Sequence, residues 1–152
     1  MKKLFTILVS LLVTASVYSQ TYNVNTFYAE LGGYVIQTDG THGVVVAMQD
    51  QGAAPCCDAN WSDAKAIVND ASKHDANGAK FNDWRLPTRD ELMLIYYQRD
   101  SIGGFTDTLY YWSSAEFDNY YAWGQLFWYG MYGSHDKTPK TTHSNVRAVR
   151  AF

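Results

Sequence analysis

The sequence Trp84-Arg-Leu-Pro-Thr-Arg-Asp-Glu91 contains the strongest local signal for structure in this chain. Pro87 fixes the backbone just before a helix, and Thr88 stands three residues before Glu91. This spacing is typical of a capping box, in which each of the two side chains binds a free backbone N–H of the other residue. The expected core residues of this segment are Trp84, Leu86, Leu92, Met93, Ile95 and Tyr96.

A second helix and two strands are expected before this segment. Ser62 is the predicted N-cap of a helix that has Ala64, Ile67, Val68 and Ala71 on one face and ends before Asn77-Gly78. Residues 33–37 and 44–48 are short apolar runs on either side of an Asp39-Gly40 turn, and they are expected to pair as strands. Residues 51–60 are expected to form a loop.

Downstream of the Thr88 helix the chain becomes rich in strand-forming residues. Gly103-Gly104 marks a break, and strands are expected over residues 109–113, 121–128 and 146–151. The order of strands, helices and strands predicts an α+β fold in which the first and last strands meet in one sheet.

The N-terminus resembles an export signal. Lys2 and Lys3 precede an apolar stretch over residues 4–17, and Val17 and Ser19 are the small residues that signal peptidase requires. A membrane anchor is the alternative, but the stretch is shorter than the roughly 20 residues that span a bilayer. The expected organisation is a signal peptide over residues 1–19 and one domain over residues 20–152, placed in the periplasm, at the cell surface or outside the cell.

Composition limits the function further. The 152 residues are 47% hydrophobic and only 18% charged, which excludes wholesale disorder. The formal charge is −3, without a block of lysines or arginines, so nucleic acid and anionic membranes are not expected partners. Twelve Tyr and five Trp instead indicate a contact surface.

The two cysteines, Cys56 and Cys57, are adjacent and therefore cannot link distant parts of the chain. Neither they nor the four histidines show the spacing of a metal site, and Cys-X-X-Cys redox spacing is also missing. We expect no metal, no cofactor and no dependence of folding on a disulfide.

Several motifs together resemble a known family. Besides Trp84–Glu91, these are Tyr111-Trp-Ser-Ser114 with Glu116, Trp123, and Val146-Arg-Ala-Val-Arg150. In this order they resemble the C-terminal domain of collagen-like bacterial adhesins, from about Gly33 to Phe152. The resemblance implies a C-type-lectin-like fold, with two helices on a small, mostly antiparallel sheet and a long aromatic-rich region. It also implies a relationship to formylglycine-generating enzymes and to the variable proteins of diversity-generating retroelements.

The segment between these motifs is unusually aromatic, because residues 110–132 contain 11 Phe, Tyr or Trp residues. Rings together with small polar residues are typical of binding loops. The resemblance to retroelement-diversified proteins implies mutation of Asn codons across this stretch, and Phe, Tyr, Asp, Ser, His and Gly are all reachable from such codons. The alternative is a second aromatic core beneath a loop. The candidate ligand-binding residues are Phe117, Asp118, Asn119, Tyr120, Tyr121, Gly124, Leu126, Trp128, Tyr129, Met131, Tyr132, Ser134, His135 and Asp136.

These observations predict a non-enzymatic module that binds a protein or a glycan. A structural envelope module, whose aromatic region packs against a fixed partner or a second copy, is the alternative; the oligomeric state stays open. The formylglycine-generating relatives use a pair of cysteines near the C-terminus, but no cysteine follows Cys57 in this sequence. The glycine pattern of a nucleophile elbow is also missing around Ser113-Ser114. Arg85, Arg147 and Arg150 are expected to form ion pairs rather than to bind a ligand.

Overall fold

A computed structural model of the chain describes residues 20–52, 59–106, 109–128 and 133–152. These residues form an α+β fold with two helices, as predicted, and their strands form two small antiparallel sheets. This arrangement is consistent with the C-type-lectin-like fold that the resemblance implies. The elements in chain order are β1 (Thr26–Tyr28), β2 (Gly33–Thr38), β3 (Gly43–Val46), α1 (Trp61–Ile67), α2 (Arg89–Ile102), β4 (Tyr110–Glu116), β5 (Tyr121–Leu126), β6 (His135–Pro139) and β7 (Val149–Ala151).

The first sheet joins the two ends of the domain, in the order β1-β2-β3-β7. The last strand pairs with β3, so that Val45 lies opposite Arg150, and the expectation that the terminal strands share a sheet is confirmed. Gly43 is required at the start of β3, because a Cβ there would lie 2.1 Å from the carbonyl oxygen of Gln37. Strand β1 was not expected from the sequence.

The second sheet has the order β4-β5-β6 and carries most of the aromatic segment. Strand β6 was also not expected, since His-Asp-Lys-Thr-Pro has the composition of a polar loop. It forms because its backbone pairs with β5, from Gln125 opposite His135 to Tyr121 opposite Pro139. Charged side chains and a terminal proline are common on such an edge strand, where they discourage pairing with other chains.

Helix α2 begins as predicted. The backbone N–H of Glu91 donates to Thr88 Oγ1 at 3.2 Å, and the N–H of Thr88 donates to Glu91 Oε2 at 2.7 Å, which confirms the capping box. Trp84 is only 1% exposed and donates its indole N–H to the carbonyl oxygen of Gly78. The segment before the helix is therefore anchored in the core.

Helix α1 corrects the predicted boundary. Asn60, rather than Ser62, is its N-cap: Asn60 Oδ1 accepts the N–H groups of Ser62 and Asp63, each at 3.0 Å. The helix ends at Ile67, and Ala71 lies exposed at the start of a separate 3-10 turn rather than on the apolar face. Asp70 caps that turn by accepting the N–H of Ser72, and this local bond interrupts the helix.

Two hydrophobic clusters divide the aromatic residues of the second sheet. Trp112 is fully buried in one cluster, against α1 and the first sheet, and donates to the carbonyl oxygen of Ala59. Tyr111 and Phe127 lie in the other cluster, beneath α2, with ring centroids 4.4 Å apart. Part of the aromatic excess is thus core, as one of the two alternatives predicted.

The three arginines of the motifs form ion pairs, as expected. Arg147 is completely buried, and its Nε donates to Asp50 Oδ1 at 2.5 Å. Arg150 pairs with Asp83 at 2.6 Å, and Arg85 binds both carboxylate oxygens of Glu91.

Some sequence-based predictions fall on residues outside the described ranges. These are the signal peptide over residues 1–19, the state of Cys56 and Cys57, and the candidate binding residues Tyr129, Met131 and Tyr132. Within the described ranges, no helix is long and apolar enough to cross a membrane.

Candidate functional site

Three aromatic side chains are exposed where β4 turns into β5. Phe117 is 43%, Tyr120 is 78% and Tyr121 is 38% exposed. Rings cost free energy when they are left in water, so several of them at one hairpin end form a distinctive apolar surface. We refer to Phe117, Tyr120 and Tyr121 as the hairpin surface.

The turn itself is held by Asp118. Its Oδ1 accepts the backbone N–H of Tyr120 at 2.7 Å and that of Tyr121 at 2.8 Å. The backbone N–H of Phe117 also donates to the carbonyl oxygen of Tyr121, at 3.0 Å. These bonds fix the backbone that carries all three rings, which lowers the entropy that a ligand must remove on binding.

Cations lie against the aromatic rings beside the hairpin surface. The ammonium of Lys137, on β6, is 4.1 Å from the ring centroid of Phe117, and Phe117 meets Trp123 edge to face at 5.4 Å. The guanidinium of Arg89, in the first turn of α2, is 3.9 Å from the ring centroid of Trp123. The two packed rings of Trp123 and Phe117 thus lie between two cations, Arg89 at one end and Lys137 at the other.

The other flank of the turn is tied to the end of β6. Lys140 forms an ion pair with Glu116 and donates to the carbonyl oxygen of Asn119 at 3.3 Å. Asn119 is exposed at the tip and leaves its side chain to solvent. The tip therefore combines exposed rings with an exposed amide.

Trp128 belongs to a different part of the surface. It is 51% exposed, but it stands just beyond the far end of β5, about 20 Å from Tyr121 at the rise of an extended strand. Its carbonyl oxygen accepts the hydroxyl of Tyr96 at 3.2 Å, which fixes it against α2. Among the described candidates, the structure brings Phe117, Tyr120 and Tyr121 together and puts Trp128 apart.

The candidates in the middle of the sheet are more enclosed. Gly124 is buried and its missing Cβ faces Thr138 and Tyr110, while Leu126 and Ser134 are half-buried. Asp136 is exposed and accepts the hydroxyl of Tyr110 at 2.9 Å.

His135 is held between two partners. Its Nε2 lies 2.7 Å from Oε1 of the buried Gln125, and its Nδ1 lies 3.4 Å from a guanidinium nitrogen of Arg89. Burial, and then the positive charge of Arg89, lower the pKa of this imidazole. A neutral ring with Nδ1 as acceptor and Nε2–H as donor satisfies both partners.

Ser113, His135 and Asp136, the residue types of a hydrolase, each bind groups other than one another. The hydroxyl of Ser113 is buried and donates to the carbonyl oxygen of Trp123 at 2.7 Å, whereas His135 and Asp136 bind the other groups named above. Within residues 20–52, 59–106, 109–128 and 133–152, no three His, Cys, Asp or Glu side chains come together as metal ligands. Asp83 is paired with Arg150 and Asp118 caps its turn, so both acids have structural partners.

Sequence reasoning missed Arg89 and Lys137 as neighbours of the aromatic surface. Arg89 lies in the predicted start of the helix, and Lys137 follows the polar candidates Ser134, His135 and Asp136, so neither has a sequence signal that places it beside the rings. Recognition of β6 as a strand would have placed Lys137 opposite Trp123, on the same face of the sheet.

Comparison with known proteins gives one positive result. Residues 35–150 match the family of the Lcl C-terminal domain, which covers about three quarters of the chain. No curated protein is significantly similar in sequence. The matched range begins in β2 and ends in β7, so it spans both sheets and both helices. The chain belongs to the Lcl C-terminal domain family.

Proposed function

We propose that this domain is an exported, non-enzymatic binding module that recognises a protein or a glycan through the hairpin surface. The single observation that carries this proposal is the exposure of Phe117, Tyr120 and Tyr121 at one rigid turn. Tyrosine is frequent at binding surfaces because its ring supplies a large contact area and its hydroxyl a hydrogen bond, at a low entropic cost. Membership of the Lcl C-terminal domain family supports an adhesin-like role.

The surroundings of the rings also support recognition. Lys137 and Lys140 lie at the base of the turn, while Asn119 supplies an exposed amide at its tip. A surface with rings at its centre and polar groups at its edge has the composition of a protein or glycan contact. Residues 110–132 have a composition similar to that of retroelement-diversified segments, which supports the proposal that relatives of this domain bind different ligands through this surface.

A binding screen tests this proposal. The chain from residue 20 to residue 152 is applied to a glycan array and to bacterial and animal cells, beside the single variants Tyr120→Ala and Trp128→Ala. We expect Tyr120→Ala to lose most binding and Trp128→Ala to retain it, because Trp128 stands at the other end of β5. Loss of binding only in Trp128→Ala would place the binding site at the Trp128 end of β5 instead. If the unmodified chain binds none of the glycans or cells, the structural envelope module is favoured.

Export is part of the same proposal. The Lys2-Lys3 start, the apolar run and the small residues Val17 and Ser19 support cleavage after Ser19, which would take the formal charge from −3 to −5. The intact mass of the exported protein measures this directly. A mature chain that retains residues 1–19 would contradict it.

A further inference from the structure

A cavity is lined by residues from three parts of the chain: helix α1 with the residues that follow it, the segment just before α2, and Ser114 of β4. Its volume is about 380 Å³, within the range of small-molecule sites. The buried side chains of Val68, Trp84 and Leu86 form apolar walls. Polar groups stand among them, and those used below are Lys65, Arg85 and Ser114.

The two cations of the cavity differ in what they already bind. Arg85 donates to both carboxylate oxygens of Glu91, at 2.6 and 2.7 Å, so its charge is neutralised. Lys65 has no carboxylate within salt-bridge distance among the described residues. The nearby Glu116 is paired with Lys140.

Lys65 is also held in place. Its ammonium lies 3.1 Å from the ring centroid of Trp61, and Trp61 is itself fixed by donating its indole N–H to the carbonyl oxygen of Ser113. Burial lowers the pKa of Lys65, and the charge of Lys140 acts in the same direction while Glu116 opposes it. Lys65 is an exposed residue, so an anion in solution can reach its ammonium, and no carboxylate among the described residues competes for that charge within salt-bridge distance.

We propose that this cavity binds a small organic carboxylate, with the carboxylate on Lys65 and an apolar body against Val68, Trp84 and Leu86. One unpaired positive charge suits one carboxylate. The apolar walls suit an alkyl or aryl body rather than a sugar ring, because Trp84 is only 1% exposed and offers no open face for stacking. The volume limits the ligand to about the size of an amino acid or a short fatty acid. None of the three rings of the hairpin surface lines this cavity.

The test uses phenylacetate, phenylbutanoate and hexanoate, each beside its primary amide. Binding is followed through the backbone amide signals of Lys65, Arg85 and Ser114 in nitrogen–proton correlation spectra of the domain from residue 20. We expect at least one carboxylate to shift these signals with saturation, and its amide to bind at least about tenfold more weakly, since the amide lacks the charge that pairs with Lys65.

Lys65→Met keeps the aliphatic stem and removes the charge, and Lys80→Met, at an exposed lysine that does not line the cavity, is the matched control. We expect Lys65→Met to lose the preference for the carboxylate over the amide, and Lys80→Met to keep it. Equal binding of acids and amides to the unmodified domain, or no shifts at these three residues with any acid, would overturn the proposal. Both outcomes are read on the unmodified chain, so they do not depend on the folding of a variant. Hairpin variants that lose protein or glycan binding should leave these shifts unchanged.

Discussion

Asp118 holds Tyr120 in place: Oδ1 of Asp118 accepts the backbone N–H of Tyr120 at 2.7 Å, and the same atom accepts the N–H of Tyr121 at 2.8 Å. One carboxylate oxygen thus organises the turn that presents the exposed rings. We infer that Asp118 contributes to recognition mainly by positioning its neighbours.

A pair of variants separates positioning from charge. Asp118→Ala removes the acceptor and should weaken binding at the hairpin surface, while the free energy of unfolding falls by only about 0.5 to 1.5 kcal/mol, the net value of a hydrogen bond. Asp118→Asn keeps an oxygen acceptor and should bind nearly as well as the unmodified chain. If both variants lose binding equally, the carboxylate contacts the ligand and the positioning role is wrong.

Breaking the buried pair of Arg147 and Asp50 is expected to be strongly destabilising. Arg147 is fully buried and also donates to the carbonyl oxygens of Ala47 and Gly104, so loss of Asp50 would leave a charge in the interior. Asp50→Ala should lower the free energy of unfolding by about 3 to 5 kcal/mol in urea titrations.

The matched control for Asp50 is Asp83, the partner of Arg150. The Asp83 side chain is 51% exposed, and Arg150 retains a bond to the carbonyl oxygen of Leu31 and a contact with the ring of Phe81. Asp83→Ala should therefore cost no more than about 1 kcal/mol. Equal losses for the two variants would mean that burial does not decide the strength of these pairs here.

The capping box and Trp84, which precedes it, should contribute unequally to the free energy of unfolding. Thr88→Ala removes one cap and should cost about 1 kcal/mol. Trp84→Ala removes a buried ring that stacks on His74 at 4.7 Å and should cost about 3 to 5 kcal/mol. Chemical denaturation of the two variants measures both costs. A cost for Trp84→Ala as small as that for Thr88→Ala would contradict the burial of Trp84 in the core.

His135 should make the domain sensitive to mild acid. Burial and Arg89 lower its pKa from the ordinary 6.5, so the unfolded chain binds the proton more readily than the folded one. Stability contributed by the neutral ring is present above about pH 6.5 and is lost as the pH falls toward the lowered folded pKa. The charge of Asp90 opposes this shift of the His135 pKa. Burial separately lowers the pKa of His74, so His74 also contributes to the sensitivity of the domain to acid.

The variant His135→Gln tests the histidine's share. It should flatten the fall in the free energy of unfolding as the pH drops below about 6.5, because the lowered pKa of the partly buried imidazole is then removed. An identical slope in His135→Gln and the unmodified domain would exclude His135 as the source.

The parts of the fold that were predictable from the sequence are those where side-chain chemistry dictates the backbone. Thr88 and Glu91 specify the start of α2 by themselves, and the Val44–Met48 run is apolar enough to indicate a strand. Strand β6 was missed because its pairing is made by backbone atoms, and its side chains are those of a loop. Asn60 was missed because Ser62 is an equally good capping residue two positions later.

The candidate site was predictable only in composition. The excess of rings over residues 110–132 indicated a surface, but the sequence did not separate the buried Tyr111 and Phe127 from the exposed Tyr120. That division depends on α2, which covers one end of the sheet and leaves the hairpin free. The cavity beside Lys65 was not predictable, since it is formed by three segments far apart in the chain.

The affinity of one double variant beside a matched control tests the central claim most directly. Phe117→Ala with Tyr120→Ala removes two rings that are 43% and 78% exposed, and Phe27→Ala with Tyr97→Ala removes two that are 41% and 70% exposed elsewhere. The hairpin variant should weaken binding to the glycan or cell surface found in the screen by about 2 kcal/mol, roughly thirtyfold, with a melting temperature close to that of the control. Equal affinities for the two double variants, or a hairpin variant that loses several kcal/mol of stability, would contradict recognition through the hairpin surface.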